Sequence, residues 1–246
     1  MKSMIALAGV EVKLFFRDML SLVFIFALPM ILYPILGAVF SNVSSTRLFQ
    51  GLGAMNFYTP AYIGLVLAAM GLIQLPVHMA GYRERGVLRR FRASSLSAAA
   101  IFTSQAVVCV VIALIGSAIV LAIGFAGYDV RAPVSTVDVI GAFLMGLLCF
   151  ITIGFLLGAL MPTPQAAQGA GLVMFIIMLL LGGAGPPQQL LSPTLNTVGD
   201  FTPMKHIVTL IQDPWLGFGW NNHEFLVVLS ITVVAAILAI RFFRWE

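Results

Sequence analysis

The stretch "MLSLVFIFALPMILYPILGAVF", residues 19–40, decides the fold class, because it runs for 22 residues without one charged side chain. A helix rises 1.5 Å per residue, so about 20 apolar residues cross the roughly 30 Å hydrocarbon core of a bilayer. The run starts too far from the amino terminus, and is too long, for the apolar part of a signal peptide. We therefore predict a first membrane-spanning helix at this position.

The rest of the chain carries the same signature. Of its 246 residues, 61% are hydrophobic and 9% are charged, whereas a soluble domain carries about 25% charged residues. Prolines inside the apolar runs are compatible with membrane helices, whose neighbours satisfy the freed backbone groups. We predict an all-α membrane protein that forms a single domain over residues 1–246. Its six spans are expected at 19–40, 57–80, 98–126, 137–161, 169–186 and 224–243.

Lysines and arginines are distributed unevenly between the two sides of this arrangement. Three of the 13, Arg47, Arg131 and Lys205, fall on one side. Basic residues concentrate in cytoplasmic loops, so the richer side marks the cytoplasm and both termini are expected there. The basic residues of the richer side are Lys2, Lys13, Arg17, Arg83, Arg85, Arg89, Arg90, Arg92, Arg241 and Arg244.

Ionisable side chains are missing from the middle of every predicted span. Carriers driven by a proton or ion gradient hold such groups at membrane depth, so a secondary carrier is disfavoured. His78 is the nearest candidate, but it lies close to the cytoplasmic end of span two, where we expect it to face the interface. Gln74, Gln105 and Thr152 lie inside the spans, and we expect them to form hydrogen bonds between helices.

The sequence contains no pattern typical of catalysis or metal binding. The three histidines, His78, His206 and His223, are divided between the two sides of the membrane, and no HExxH motif or glycine-rich phosphate loop is present. Cys109 and Cys149 lie in apolar runs and fit neither a disulfide framework nor a metal site. We therefore expect no enzyme, no metal and no cofactor on this chain. Energy for any transport would have to come from a partner.

Residues 82–96, between spans two and three, predict a short helix with two faces. On a helical wheel five arginines cover one half, whereas Val87, Leu88 and Phe91 gather on the other half with Glu84 among them. A helix lying on lipid prefers an uninterrupted apolar face, so the acid favours a groove on a protein that carries a matching donor. In the first turn of the helix, the acid would also interact favourably with the helix dipole. A segment tied between two spans has little room to follow a duplex, so we expect no nucleic-acid partner.

Two further elements accompany the spans. Residues 1–18 predict an amphipathic helix along the inner leaflet. Residues 187–223 predict two short re-entrant helices in the outer leaflet, since Ser192-Pro193 and Thr202-Pro203 each place a capping hydroxyl before a proline. Asp213-Pro214 is expected to end the second of these helices. The element could form either the outer gate of a pathway or a structural lid. The candidate gate residues are Pro186, Pro187, Leu195, Pro203 and Ile207.

The stretch "RERGVLRRFRASSLS", residues 83–97, resembles the E-R-E-x-G-T-L-x-x-L-x-x-[ST]-P-[LI]-S signature of the membrane subunits of type-2 ABC exporters, the ABC-2 permeases. Val87 stands in place of the usual threonine and Ser95 in place of the usual proline. Residues 182–217 are similar to the family's re-entrant helices, and the resemblance covers essentially the whole chain. The matching positions are Arg83, Glu84, Arg85, Gly86, Leu88, Ala93, Leu96 and Ser97.

The resemblance implies that residues 82–96 form a coupling helix that docks into a separate ATPase subunit. It also implies two permease copies, identical or paralogous, and two ATPase copies, which bind ATP and Mg. The location would be a bacterial inner or plasma membrane, and the substrate an amphipathic small molecule such as a drug, an antibiotic or a lipid-like compound. The residues implied in coupling are Arg83, Glu84, Arg85, Gly86, Val87, Leu88 and Phe91.

The leading hypothesis is therefore a half-transporter whose pathway lies between two copies and is lined by spans one, two and five. Gly154 and Gly158 form a GxxxG pair in span four that allows close helix contact. Two other interpretations stay open. One is a scaffold or sensor that recruits a cytosolic protein or anionic lipid, and the other is a permease for a polysaccharide or lipid-linked glycan. The candidate pathway residues are Phe24, Met30, Tyr62, Met70, Met174 and Met178.

Overall fold

The computed structural model describes residues 18–40, 49, 51–87 and 98–243, and this part of the chain is an all-helical membrane protein. Six helices within it are long and apolar enough to cross a membrane, which confirms the predicted number of spans. The interfacial helix predicted at 1–18 lies outside the described residues, apart from Asp18.

The helices are numbered in chain order. α1 consists of Met19–Leu22, a π-helical turn at Val23–Ala27 and Leu28–Phe40, and α2 runs over Ala54–Glu84 with a π-helical turn at Met70–Gln74. The next spans are α3 (Ala98–Tyr128), α4 (Thr136–Leu160) and α5 (Pro164–Leu181). A 3-10 turn at Gln188–Leu190, α6 (Pro193–Gly199) and α7 (Pro203–Leu216) follow, and α8 (Asn222–Phe242) is the last span.

The second span, α2, lies at the centre of the protein. Other helices bury 89% of its apolar window, against 22% for α1 and for α8. The first half of α2, Ala54–Ala69, packs mainly on α7 and α3, and the second half, Leu75–Glu84, packs mainly on α4 and α5. α4 in turn packs along α8. The helix predicted at 57–80 is therefore one that lipid hardly reaches.

Both π-helical turns precede a proline. The turn in α1 is followed by Pro29 and the turn in α2 by Pro76. Proline has no backbone N–H and its ring clashes with the carbonyl four residues earlier, so the preceding turn widens. In α2 the carbonyl four residues before the proline belongs to Leu72. It lies against Gly171 of α5, where any Cβ would overlap with the oxygen.

The close approach of α4 to α2 depends on glycine. A Cβ at Gly154 would overlap with the carbonyl oxygen of Gly71, and a Cβ at Gly71 would overlap with the backbone of Phe150. Gly158, one turn further along α4, faces Met79 in the same way. The predicted GxxxG pair therefore does allow a close helix contact, but the contact is made within the chain, between α4 and α2.

The fifth span begins earlier than predicted. The Thr163 hydroxyl accepts a hydrogen bond from the N–H of Ala166 at 3.2 Å, and Pro164 takes the first helical position, where its missing N–H costs nothing. The helix ends before Gly183, whose φ of +92° is a conformation that favours glycine. The span predicted at 169–186 is thus displaced toward the amino terminus, and Pro164 is the first residue of the observed helix.

α6 and α7 begin where the two predicted capping pairs place them. The Ser192 hydroxyl accepts a hydrogen bond from the N–H of Leu195 at 3.4 Å and caps α6. Thr202 precedes α7, but its hydroxyl donates to the carbonyl of Gly199 at 2.6 Å instead of capping the helix. The two hydroxyl–proline pairs therefore mark the helix starts correctly, although only one of them acts through a side-chain cap.

The prediction that Asp213-Pro214 ends α7 is wrong. The helix continues to Leu216 and closes at Gly217, which has a φ of +94°. In the connection between α3 and α4, the N–H groups of residues 134 and 135 donate to the carbonyls of Trp215 and Pro214. The carbonyls at the end of α7 are thus satisfied by another part of the chain.

We expect Gly154→Ala to lower the thermal stability of the protein in detergent, because the added methyl group pushes α4 away from α2. Overpacking of this kind costs about 1–3 kcal/mol. Gly169→Ala is the matched control: Gly169 also lies in a spanning helix, but a Cβ there meets open space, and alanine favours the helix. Unfolding followed by tryptophan fluorescence measures both, and an unchanged midpoint in Gly154→Ala would contradict the close contact.

Candidate functional site

The residues predicted to contact an ATPase begin at the carboxyl end of α2. Arg83 and Glu84 form the last turn of this helix, and the N–H groups of Arg85 and Gly86 donate to carbonyls of the preceding turn. Gly86 has a φ of +67°, which favours glycine and ends the helix. The prediction of a separate helix starting at residue 82, with the acid in its first turn and the glycine inside it, is therefore wrong at this end.

We call residues 84–87 the tip of α2. Glu84 and Arg85 are exposed there, and Val87 is half-buried. Leu88 and Phe91, the other members of the predicted apolar face, lie outside the described residues. The described part of the site thus presents one acid and one base to a partner, directly at the end of the central helix.

Arg83 points away from the tip, toward α4. Its guanidinium donates to the carbonyl oxygens of Gly158 at 3.4 Å and Ala159 at 3.0 Å, and to that of Met161. The last carbonyls of a helix have no partner within the helix, and a cation is favourable beside them. Arg83 was predicted to face an ATPase, but its guanidinium instead forms hydrogen bonds with these three carbonyls. The sequence analysis missed the contact, which joins residues 75 positions apart.

A cavity of about 400 Å³ lies beside the end of α2 and is bounded by α1, α2 and α5. Its lining includes the polar side chains of Asp18, His78, Arg85 and Gln168. The Nδ1 atom of His78 lies 3.0 Å from the carbonyl oxygen of Gln74, so this nitrogen can donate within its own helix. His78 therefore lies at a polar helix end, in agreement with its predicted interfacial position.

The polar residues inside the spans behave in three different ways. The side-chain amide of Gln105 donates to the hydroxyl of Tyr82 at 3.4 Å and so links α3 to α2, as predicted. Thr152 donates to the carbonyl of Cys149 in its own helix, so the predicted interhelical bond is wrong for this residue. The side-chain oxygen of Gln74 is buried and has no hydrogen-bond partner among the described residues.

Three of the six predicted pathway residues are buried, namely Tyr62 and Met70 of α2 and Met178 of α5. Tyr62 and Met70 of α2 are 1% and 0% exposed. The ring of Tyr62 packs against that of Tyr33 in α1, with centroids 5.2 Å apart, and the Tyr33 hydroxyl lies 2.5 Å from that of Thr59. The sequence analysis did not predict this pairing. Other helices bury 89% of the apolar window of α2 in the single chain, and the lining of a pathway between two copies by span two stays a prediction.

Met178 and the three less buried residues of this set lie apart from Tyr62 and Met70, at separate places on α1 and α5. Phe24 packs edge-on against Phe175, with ring centroids 5.7 Å apart, whereas Met30 is exposed on α1. Met174 and Met178 line an apolar groove of about 430 Å³ between α4, α5 and α8. A single chain therefore does not assemble the predicted residues into one pathway.

The predicted gate residues are divided in the same way. Pro186 and Leu195 are exposed, and Pro203 is half-buried. Pro187 and Ile207 are buried, and Ile207 packs against α4. Ile207 is thus a core residue between α7 and α4, and the five residues do not form one surface.

A polar cluster that the sequence analysis did not predict joins α7 to α8. The Nδ1 atom of His206 lies 2.5 Å from Oε2 of Glu224, and its Nε2 atom lies 2.7 Å from the carbonyl oxygen of Asp200. Lys205 forms an ion pair with the Asp200 carboxylate at 2.5 Å. We call these four residues the outer cluster, because they lie at the end of the spans opposite the tip.

Asp213 lies near the outer cluster on α7. The side-chain amide of Asn221 donates to its carboxylate at 2.8 Å. Burial raises the pKa of Asp213 above its ordinary value, the hydrogen bond from Asn221 opposes the rise, and the charge of Glu224 adds to it. The folded protein therefore holds a proton at Asp213 more tightly than the unfolded chain does.

Comparison with known proteins identifies the family. Residues 3–216 match the family model of the ABC-2 type transporter. The chain belongs to the ABC-2 type transporter family. Two relatives are similar to this ABC-2 chain, each 26% identical over 188 residues: the protein named probable multidrug ABC transporter permease YbhR in Escherichia coli K12 and the protein of the same name in Escherichia coli O157:H7. The alignment covers 74% of the chain and 51% of each relative, so the chain spans about half the length of the curated relatives it matches.

The ABC-2 match ends at Leu216, the last residue of α7. The contact of Arg83 with the end of α4 therefore lies inside the matched region. The outer cluster instead joins a matched helix to α8, which follows the matched region. The family match thus covers the tip and the helices packed around it.

We expect Asp213→Asn to raise the stability of the folded protein at pH 7.5. A raised carboxyl pKa favours the folded state at low pH, and this contribution is lost as the pH rises through the pKa of the folded state. The gain from Asp213→Asn should therefore shrink as the pH falls toward 4. Thermal unfolding in detergent at both pH values measures the difference. Asp129→Asn, which neutralises an exposed carboxylate, is the control, and a loss of stability in Asp213→Asn at pH 7.5 would contradict the assignment.

Proposed function

We propose that this chain is the membrane-spanning permease subunit of an ATP-driven exporter that moves an amphipathic small molecule out of the cytoplasm. The observation that carries the proposal is the exposed tip of the most buried helix, where Glu84 and Arg85 open the stretch 83–97 that resembles the ABC-2 coupling motif. Membership of the ABC-2 family and the multidrug permease named among the relatives support it.

The energy source in this proposal is a separate ATPase subunit, which binds ATP and Mg. The predicted spans carry no ionisable residue at mid-depth, and the chain has no glycine-rich phosphate loop. A span without such groups has nothing that binds and releases a coupling ion. Because neither an ion gradient nor ATP bound by this chain is expected to drive transport, the proposal assigns the energy source to ATP hydrolysis in a partner.

A partner that binds the tip acts directly on the centre of the protein. Glu84 requires a donor in the partner's groove, and Arg85 requires an acceptor. The helix that ends at the tip packs on α4 and α5 in its second half and on α3 and α7 in its first half. A displacement of the tip is therefore applied to a helix that contacts α1, α3, α4, α5 and α7.

The transport pathway in this proposal lies between two copies of the chain. Since α2 is covered by its own neighbours, the surfaces available to a second copy are those of the less buried spans, with α1 and α5 as the candidates at 22% and 28% burial of their apolar windows. Apolar side chains on these helices suit an amphipathic substrate. The exposed ones include Met30, Ile31 and Ile35 of α1 and Val173, Ile176 and Ile177 of α5.

The helices between α5 and α8 lie in the outer leaflet in this proposal, and both termini are cytoplasmic. α6 exposes Leu195 and Val198, and Phe201, which follows this helix, is 84% exposed. Water is an unfavourable environment for such a row, whereas the boundary between headgroups and acyl chains accommodates it. The outer cluster then fixes α7 to the start of α8.

Transport by inside-out membrane vesicles tests the proposal as a whole. The full chain is co-expressed with the ATPase that co-purifies with it, and uptake of a fluorescent amphipathic dye is followed after addition of ATP. We expect uptake that requires ATP and survives a protonophore. Uptake that persists without ATP and collapses with the proton gradient would identify a secondary carrier. Salt-sensitive recruitment of a protein without any transport would identify a scaffold.

We expect Glu84→Gln to weaken ATPase binding by about 30-fold or more, because removing one partner of a desolvated charge pair costs roughly 2–5 kcal/mol. Glu84→Lys should abolish binding through repulsion. Asp129→Asn is the matched control, since Asp129 is exposed at the opposite end of α3 and asparagine tolerates its φ of +48°. Co-purification from membranes measures binding, and a Glu84→Lys chain that assembles normally would refute docking through the tip.

A further inference from the structure

We infer that Arg83 is a positioning residue that joins the carboxyl end of α4 to the end of α2, so that a displacement of the tip is carried into α4. The contact itself consists of three donated hydrogen bonds from one guanidinium to the carbonyls of Gly158, Ala159 and Met161. The coupling role of this contact rests on the proposed function, whereas its positioning role does not.

The end of α4 needs a donor from elsewhere because its own sequence lacks donors. The carbonyl of Gly158 would bond to the N–H of residue 162 in a longer helix, and that of Leu160 to the N–H of residue 164. Both of these residues are proline and have no N–H. The last turn of α4 also contains no basic residue, and Met161 is already extended.

Arginine suits this position better than lysine does. Its planar guanidinium carries five N–H donors in a fixed geometry and stays charged, whereas an ammonium is a compact point charge. Arg83 is only half-buried, so its head remains close to the interface while it reaches the carbonyls. The positive charge also lies at the negative end of the α4 dipole.

The geometry transmits motion to more than one helix. Only residues 161–163 separate α4 from α5, and the hydroxyl of Thr163 caps the start of α5. A pull on Met161 through Arg83 is therefore applied next to the first turn of α5. Glu84, the adjacent residue of the same helix, is free to contact a partner. One helical turn thus presents a docking residue and a residue that holds two further spans.

Hydrogen exchange of the purified chain tests the positioning role without any ATPase. We expect Arg83→Gln to speed exchange in peptides covering residues 157–161 by about ten-fold or more, because the frayed turn loses charge-assisted bonds. Arg83→Lys should give an intermediate rate. Arg241→Gln is the matched control, since Arg241 lies exposed in the last turn of α8. Unchanged exchange in Arg83→Gln overturns the inference, whatever the ATPase measurements show.

The complex with the ATPase tests the coupling role. We expect Arg83→Gln to retain ATPase binding, because Glu84 and Arg85 remain at the tip, but to lose about ten-fold or more of the substrate-stimulated ATP hydrolysis. Loss of binding as in Glu84→Gln would make Arg83 a docking residue and overturn the inference, as would stimulation equal to that of the parent chain. If the parent chain binds no ATPase, the proposed function is refuted instead. The hydrogen-exchange measurement then still tests the positioning role of Arg83.

Discussion

A bilayer contains no water that could replace a hydrogen bond that a helix fails to make, and this constraint explains how the prolines of the chain are accommodated. Pro29 and Pro76 each follow a π-helical turn, and the carbonyl four residues before Pro76 lies against a glycine of α5. Pro162 deprives the carbonyl of Gly158 near the end of α4 of a donor, and Arg83 of α2 donates to this carbonyl instead. The contacts of α2 with α4 and α5 are therefore places where backbone groups of one helix are satisfied or covered by another.

The number of spans, and the starts of the helices between α5 and α8, could be predicted because the sequence signals for them are local. A span is defined by the length and composition of one stretch, and a helix start by two neighbouring residues such as Ser192-Pro193. Predictions from neighbouring residues were wrong where the backbone of a helix forms hydrogen bonds with a distant segment. Pro214 does not end α7, and the carbonyls of Pro214 and Trp215 at the end of this helix accept from residues 135 and 134 of a distant connection.

The candidate site was predicted in its sequence position but not in its contacts. Nothing local distinguishes Arg83, which contacts α4, from Arg85, which is exposed two residues later, because the partner carbonyls lie more than 70 residues away. The central position of α2 does correspond to a feature of its sequence. α2 carries Asn56, Thr59 and Gln74, all of which are buried. A helix enclosed by protein can hold such groups more readily than one that faces lipid.

The π-helical turn at Met70–Gln74 gives α2 the proportions of a lever. Below it, the ten residues of Leu75–Glu84 form an arm, which is about 15 Å long at 1.5 Å per residue. A bend of about 10° at the turn would swing the end of such an arm by roughly 3 Å, which is comparable to the rise of two helical residues. A small change of angle at this turn, deep in the membrane, would therefore appear at the tip as a displacement about as large as the spacing of two helical residues.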